Sequence, residues 1–239
     1  MRYETRLRRR ETLAERTMAF QFDRPVGFVY QAGQNCLISL PEMKDFDSYG
    51  PTRTFTFASA PHEPELMIAT RMRDTAFKRA LKSAPLGLKV TLDGPNGTMA
   101  LHEDAARSAV FLAGGIGVTP FRSMAQHAAH ARLPHHIWLF YSNRRPEDAP
   151  FLGELRELER ANPSFRFVPT MTSMEKSELP WQGETGAISK ALLKRHLQRA
   201  ISPIYYLAGP PGMVIAMHAM LENLGVPQDD IRDEEFYGY

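Results

Sequence analysis

Three short segments carry residue types whose spacing suits chemistry. Ala113-Gly114-Gly115-Ile116-Gly117-Val118-Thr119-Pro120 lies between an apolar run and a helix-like stretch. Its glycines let backbone approach a ligand, Thr119 is placed to cap the helix, and Pro120 suits a first helical position, where a missing N–H costs nothing. Such a loop aims free N–H groups and the positive end of a helix dipole at an anion such as a pyrophosphate. It is not a Walker loop, since no Gly-Lys-Ser/Thr follows, and Pro120 stands where the usual dinucleotide fingerprint has its third glycine. A tight strand-to-helix turn is the plainer reading of the same residues.

Ala208-Gly209-Pro210-Pro211-Gly212-Met213 repeats that logic. In a parallel sheet both loops fall at the carboxyl ends of strands, where open α/β sheets bind ligands. The third segment, Arg53-Thr54-Phe55-Thr56-Phe57-Ala58-Ser59, sets an arginine fork beside aromatic rings and hydroxyls. Strand alternation puts Arg53, Phe55 and Phe57 on one face and Thr54 and Thr56 on the other. That set suits a phosphorylated planar ligand, and an ordinary strand with a surface arginine explains it too.

A fourth segment bears on nucleotide choice. Tyr141-Ser142-Asn143-Arg144-Arg145 follows the second apolar run of the later half, and Arg144 or Arg145 beside the Ser142 hydroxyl could hold a phosphate bidentately. Glu147 and Asp148 follow at once and offer those arginines ordinary partners.

The elements that must position these segments change period along the chain. Up to residue 104, short extended runs alternate with Gly and Pro: Phe28 to Tyr30, Cys36 to Leu40, Thr54 to Phe57, Leu66 to Thr70 and Leu88 to Leu92. These predict a small antiparallel barrel or sandwich, interrupted by one helix over Thr75 to Lys82 with Asp74 as N-cap. From residue 105 apolar runs alternate with helical patterns: Ser108 to Ala113, Pro120 to Arg132, Ile137 to Ser142, Phe151 to Ala161, Phe165 to Thr170, Ile188 to Leu197, Ile204 to Ala208, Gly212 to Leu224 and Ile231 to Phe236. Five strands alternating with four helices predict a parallel sheet covered on both faces. The expected fold class is therefore an antiparallel β domain over 1–104 followed by a Rossmann-like α/β domain over 105–239. Ser173 to Glu184 reads as an exposed loop.

Composition narrows the chemistry. A net charge of +2 over 239 residues is no concentrated cationic field for nucleic acid or a membrane surface. The single cysteine, Cys36, excludes an internal disulfide framework, a cysteine-based zinc site and a cysteine-ligated iron–sulfur cluster. His127, His130 and the pair His135-His136 match no closed metal spacing and read as solvated, so no metal is expected. Ser59 lacks the elbow context of a nucleophile. The arginines at 2, 6, 8, 9 and 10 read as a solvated edge strand or as a docking face for an acidic electron carrier. No leader-like segment and no apolar run of 18 residues occurs, which makes a cytoplasmic setting the expectation.

Taken in order, the segments resemble the ferredoxin–NADP reductase superfamily of flavoenzymes over nearly the whole chain. The resemblance implies an FAD-binding barrel followed by an NAD(P)-binding domain, with NADPH or NADH as hydride donor. Arg53, Phe55 and Thr56 match the family's Arg-x-Tyr-Ser/Thr motif, with Phe for Tyr. By that likeness Arg53 binds the flavin pyrophosphate, Phe55 packs on the ring system, and Thr56 hydrogen-bonds near N5. Thr54 and Thr70 are carried over as neighbouring cofactor contacts, and Asp74, Thr75, Ala76 and Phe77 as the short helix start that faces the flavin phosphates.

Gly114, Gly115, Gly117, Thr119 and Pro120 match the family's Gly-Gly-x-Gly-x-Thr-Pro nucleotide loop, and Gly209, Pro210, Pro211 and Met213 its Gly-Pro-Pro-x-Met loop beside the nicotinamide. Ala208 stands where many members have cysteine. In the acidic, aromatic ending, Phe236 is the first choice and Tyr239 the second for a ring that covers the flavin, with Glu234 as the carboxylate near N5. Thr56, Glu234 and Phe236 are thus the catalytic candidates, and Ser142, Arg144 and Arg145 the candidates for a 2′-phosphate. The implied function passes hydride from NAD(P)H to FAD and electrons to a separate ferredoxin, cytochrome or oxygenase component, with no iron–sulfur or haem domain fused. A flavin or quinone reductase and a non-catalytic redox-sensing subunit are the alternatives.

Overall fold

The computed structural model describes the chain apart from residues 41–46, 49 and 237–239. Six strands build the first sheet: β1 (Arg2–Ala14), β2 (Thr17–Asp23), β3 (Asn35–Ser39), β4 (Thr52–Thr56), β5 (Glu65–Arg71) and β6 (Lys89–Asn96). Their order is β4-β3-β6-β1-β2-β5, and every pair is antiparallel. In β6 the side chains of Val90 and Leu92 are buried while Lys89 faces water, the period-2 signature of a sheet with one dry face. That face packs Leu7, Phe20, Phe22, Ile38, Phe57 and Ile68 into one core.

The expected barrel forms no continuous ring of hydrogen bonds. Its edge strands meet at one isolated bridge, Phe57 with Ile68, and the Ala58 N–H donates to Met67 O at 2.7 Å. Beyond that point the chain turns through Pro61 and Pro64, which have no N–H to extend a ladder. Two other expectations are corrected. Phe28 to Tyr30 is irregular, although Phe28 and Tyr30 remain in the core through ring contacts with Phe57. β1 is an interior strand between β6 and β2, not an edge, and its arginines have local partners: Arg8 with Asp23, Arg9 with Gln21, Arg10 with the carbonyls of Lys82 and Ala84.

Helix α1 (Ala76–Ser83) crosses this sheet, and Phe77 and Leu81 are its buried face. Thr75 caps it, accepting from the Lys78 N–H, whereas Asp74 is exposed and pairs with Arg79. Sequence favoured Asp74 because aspartate is a strong cap, but the chain enters the helix one residue later.

The second sheet is parallel: β7 (Ala109–Gly114), β8 (Ile137–Asn143), β9 (Phe165–Met171), β10 (Glu184–Thr185), β11 (Ile204–Gly209) and β12 (Ile231–Glu235). Helices α2 (Val118–His130), α3 (Leu152–Ala161), α4 (Lys190–His196) and α5 (Pro211–Glu222) connect them. Sequence predicted five of these strands. The sixth, β10, is two residues long, too short for any periodicity to show, and pairs with β9 at the end of the polar loop. No helix among the described residues is long and apolar enough to cross a membrane.

The strand order β10-β9-β8-β7-β11-β12 reverses direction between β7 and β11. A crevice opens at the carboxyl end of such a reversal, and both glycine loops follow those two strands. The cluster around Phe111, Phe121 and Tyr206 continues into Ala19, Met67 and Ala69 of the first sheet, so the two sheets share packed apolar surface.

A buried polar network ties down the chain between the sheets. Tyr206 hydroxyl accepts the His102 backbone N–H at 2.9 Å and sits 2.8 Å from His102 Nδ1, while His102 Nε2 lies 3.0 Å from Arg107 O. These partners assign the proton to Nε2 and leave His102 neutral. His135, expected in solvent, is buried, with Nε2 2.8 Å from His102 O. Burial holds the His102 pKa below 6.5. The unfolded chain therefore binds a proton first as pH falls below about 6.5, and stability declines from there. Tyr206→Phe should cost about 1–3 kcal/mol at pH 7.5, because it strands a buried N–H and a ring nitrogen. Urea midpoints from pH 5 to 8 measure both effects, and a flat profile with an unshifted midpoint would remove the network from the stability account.

Candidate functional site

The Arg53 segment, the first glycine loop and the C-terminal tail converge on one cleft. Arg53, Thr54, Phe55 and Thr56 of β4 form one wall, Thr70 and Arg71 of β5 with Lys78 of α1 a second, and Ile116, Thr119 and Phe236 a third. Arg53 pairs with Asp47 and lies 5.3 Å over the Phe77 ring. Phe55 is turned largely into the first core, its ring centroid 5.8 Å from that of Phe77, and only its edge reaches the cleft. Phe77 thus supports Arg53 and Phe55 from below. Thr75 acts as the helix cap, and Asp74 points to solvent.

Sequence reasoning missed Arg71 and Lys78. Lys78 Nζ donates to Arg71 O at 2.7 Å, and its pKa is pulled down to about 8 by burial, with Arg73 and Arg53 repelling its charge. Three cations on one cleft offer an anion charge-assisted partners, with Arg53 also paired to Asp47 and Arg71 to Asp148. The signal available in the sequence was the cluster of basic residues at 71, 73 and 78, one turn of helix apart from a strand end.

The two glycine loops touch each other. A Cβ on Gly117 would stand 2.2 Å from Ala208 O and 2.6 Å from Gly209 N, and one on Gly114 would stand 2.3 Å from Met213 Sδ. Gly115 has φ +51°, the left-handed region that glycine enters without strain. α2 starts at Val118 with Gly117 preceding it, and no side chain caps it. Thr119 is therefore not the cap. Its buried hydroxyl donates to Ile116 O at 3.1 Å, and Pro120 is the third helical residue rather than the first. In the other loop Pro211 opens α5 directly after Pro210, as its missing N–H allows.

Beside Thr56, Glu234 is held by Asn35, whose Nδ2 donates to Oε1 at 3.1 Å. Burial pushes its pKa above the usual carboxyl value, against the opposing pull of Asn35 and Thr56. Neither Thr56 Oγ1 nor Glu234 Oε2, both buried, has a partner in hydrogen-bonding geometry. The two oxygens lie beside each other, close enough for the Thr56 hydroxyl to pull the Glu234 pKa down, and together they make a buried polar pair. Phe236 packs at the edge of the core above Ile116 and Thr119, and Tyr239 lies outside the described residues.

Ser142, Arg144 and Arg145 fall outside this cleft. Arg144 and Arg145 line a neighbouring depression with Arg16, Arg71, Ser173 and Lys176, while Ser142 only borders the strand end. Arg145 is already committed to Asp148 at 2.9 Å and to Glu15. Asp148 also takes Arg71 at 3.0 Å, and these bonds hold its carboxyl below the usual value in spite of burial. Arg144 is exposed beside them.

Residues 111–219 match the oxidoreductase NAD-binding domain family. The chain is 28% identical to a ferredoxin–NADP reductase B of Sorangium cellulosum, covering 98% of this chain and 97% of that one. It is 26% identical to a glycine betaine monooxygenase reductase subunit of Chromohalobacter salexigens, over 95% of this chain and 61% of the relative. Against such oxygenase reductases the chain thus spans about three fifths of the relative's length. The solved structure of an Amycolatopsis cytochrome P450 reductase superposes with a TM-score of 0.82 at 23% identity, covering 98% of this chain and 70% of that one, a likeness of fold.

Proposed function

We infer that the chain belongs to the ferredoxin–NADP reductase superfamily, and on that premise that it is an FAD-dependent NAD(P)H oxidoreductase. Residues 1–104 hold the flavin and residues 105–239 the nicotinamide nucleotide. The nucleotide would be the source of hydride, two electrons with one proton. Electrons then pass to a separate acceptor protein, a ferredoxin, cytochrome or oxygenase component, in a cytoplasmic setting. The observation that carries this reading is the single cleft on which the Arg53 segment, the first glycine loop and Phe236 converge.

Bound FAD supplies the hydride acceptor and the change from two-electron to one-electron delivery. The protein supplies position and charge. Arg53, Arg71 and Lys78 would offset the pyrophosphate charge, Phe77 supports Arg53 and Phe55 beneath the cleft, and the Thr56 hydroxyl would be the hydrogen-bonding group offered to the flavin ring. Glu234 holds or releases a proton through the Thr56 hydroxyl. Phe236 would shield the bound ring from water, and the paired glycine loops would hold the nucleotide at the sheet reversal.

Anaerobic mixing with NADPH and with NADH tests this directly. Loss of the oxidised-flavin colour is expected, and a protein that binds flavin yet keeps its colour is a sensing subunit. Delivery of both electrons to a quinone with no preference for a carrier protein would favour the small-molecule reductase instead. For the nucleotide, Arg145 is engaged with Asp148 and Glu15, so Arg144 is our choice for the 2′-phosphate of NADPH. Arg144→Leu should raise KM for NADPH roughly 10-fold or more and leave NADH unchanged, since a charge-assisted bond contributes about 1.5–3 kcal/mol. Equal changes for the two nucleotides would remove Arg144 from that role.

A further inference from the structure

Where β4 leaves the first sheet, its backbone is gripped by a side chain of the second. Arg122 lies on α2, three residues beyond Thr119, and is 5% exposed. Its guanidinium donates four hydrogen bonds and holds one further close ion-pair contact. Nε and Nη2 take the Glu154 carboxylate at 3.0 and 2.6 Å, Nη1 and Nη2 take Glu63 at 3.0 and 3.1 Å, and Nη1 also donates to Ala58 O at 2.6 Å. Phe151 covers one face, with the guanidinium carbon 5.1 Å from the ring centroid. The neighbouring Ser123 hydroxyl donates to Ser59 O at 2.6 Å. Glu63 is itself fixed by the Ala60 N–H, and Glu154 by Gln126.

We propose that Arg122 is a positioning residue for hydride transfer, setting the angle and distance between the strand end that carries Thr56 and the helix that carries the first glycine loop. The proposal rests on the flavin reductase reading. Glu63 and Ala58 lie two to seven residues beyond Thr56, and Glu154 belongs to the nucleotide side, so the one cation spans both halves of the cleft. A buried ion cluster is a weak source of net stability compared with apolar side chains of equal volume. What two carboxylates on opposite sides of one guanidinium add is direction at this point of the interface, which apolar packing does not supply. Hydride transfer is the step most sensitive to direction: misplacing the reacting atoms by about 1 Å costs on the order of 100-fold.

The test uses the holoprotein, with Arg122→Lys, Arg122→Met and the milder Glu63→Gln beside wild type. Wild type is mixed first with NADPH and NADH: failure to bleach would defeat the reductase reading itself. With wild type active, the limiting reduction rate at saturating nucleotide should fall about 10- to 100-fold in both Arg122 variants. Nucleotide affinity and flavin content should stay within about twofold, and the long-wavelength charge-transfer absorbance of the flavin–nucleotide complex should weaken. Lysine restores the charge but not the forks, so it should recover thermal stability without recovering the rate. In the flavin-free protein, backbone amides of residues 58–63 should exchange faster in the same variants. If a variant does not fold, Glu63→Gln carries the same comparison, since it removes one fork and keeps a hydrogen-bonding side chain. An unchanged limiting rate in a folded variant, a full rescue by lysine, or a rate loss matched by flavin loss would overturn the proposal.

Discussion

Gly117→Ala is expected to lower the melting temperature by roughly 6–12 °C and nucleotide-driven flavin reduction by about 100-fold. The added Cβ would stand 2.2 Å from Ala208 O, 2.4 Å from Ala208 C and 2.6 Å from Gly209 N, all of them backbone atoms with no rotamer to yield. The two loops must part, and overpacking of this kind costs up to about 3 kcal/mol, or 2–4 °C per kcal/mol for a chain of this size. Since both loops are proposed to hold one nucleotide, their separation moves it by a distance on which hydride transfer depends steeply. Gly153→Ala on α3 is the control: its Cβ meets nothing within 4 Å and should leave both measurements unchanged. Calorimetry with single-turnover reduction separates the two, and a Gly117→Ala protein with wild-type melting and rate would refute the contact.

Glu234→Gln has the second large effect. Burial raises the Glu234 pKa above 4.5 in the folded chain. Below pH 4.5 the carboxyl is protonated in both states and the group has no effect on stability. As pH rises the unfolded chain ionises first, so folding bears a growing cost until the folded pKa is passed, and the cost remains at neutral pH. Glutamine removes it: the variant should be the more stable protein at pH 7, with the difference vanishing below pH 4.5. Its turnover with a one-electron acceptor should fall on the order of 100-fold, because a positioned proton-transfer group contributes about 10²–10⁴. Its pH–rate profile should lose a limb, and reduction by nucleotide should change less. A variant with wild-type turnover at every pH would exclude Glu234 from proton handling.

The glycine loops were legible because they must be. A strand, a glycine turn and a helix start leave a local pattern, and the sheet reversal then brings Gly114 and Gly117 against Met213 and Ala208 as two such loops require. The Arg53 motif was legible for the same reason, although alternation alone could not tell that Phe55 turns inward to meet Phe77. Caps were read one residue out at α1 and two at α2, since hydroxyl and proline preferences state which residues tolerate a helix start and not where tertiary packing places it. β10 escaped because two residues carry no period.

What the sequence determined by itself was the order of elements and the chemistry offered at their ends, both of which follow from local period and residue type. What only the tertiary structure decided was who meets whom across long separations: Glu234 with Asn35, Arg71 with Asp148, and Arg122 with Glu63 and Ala58. Each of those pairs is made by a long side chain reaching between two sheets that the chain visits many residues apart. A charge in sequence looks the same whether it ends in water or in a buried fork, and burial, which separates the two, is a property of the packed whole.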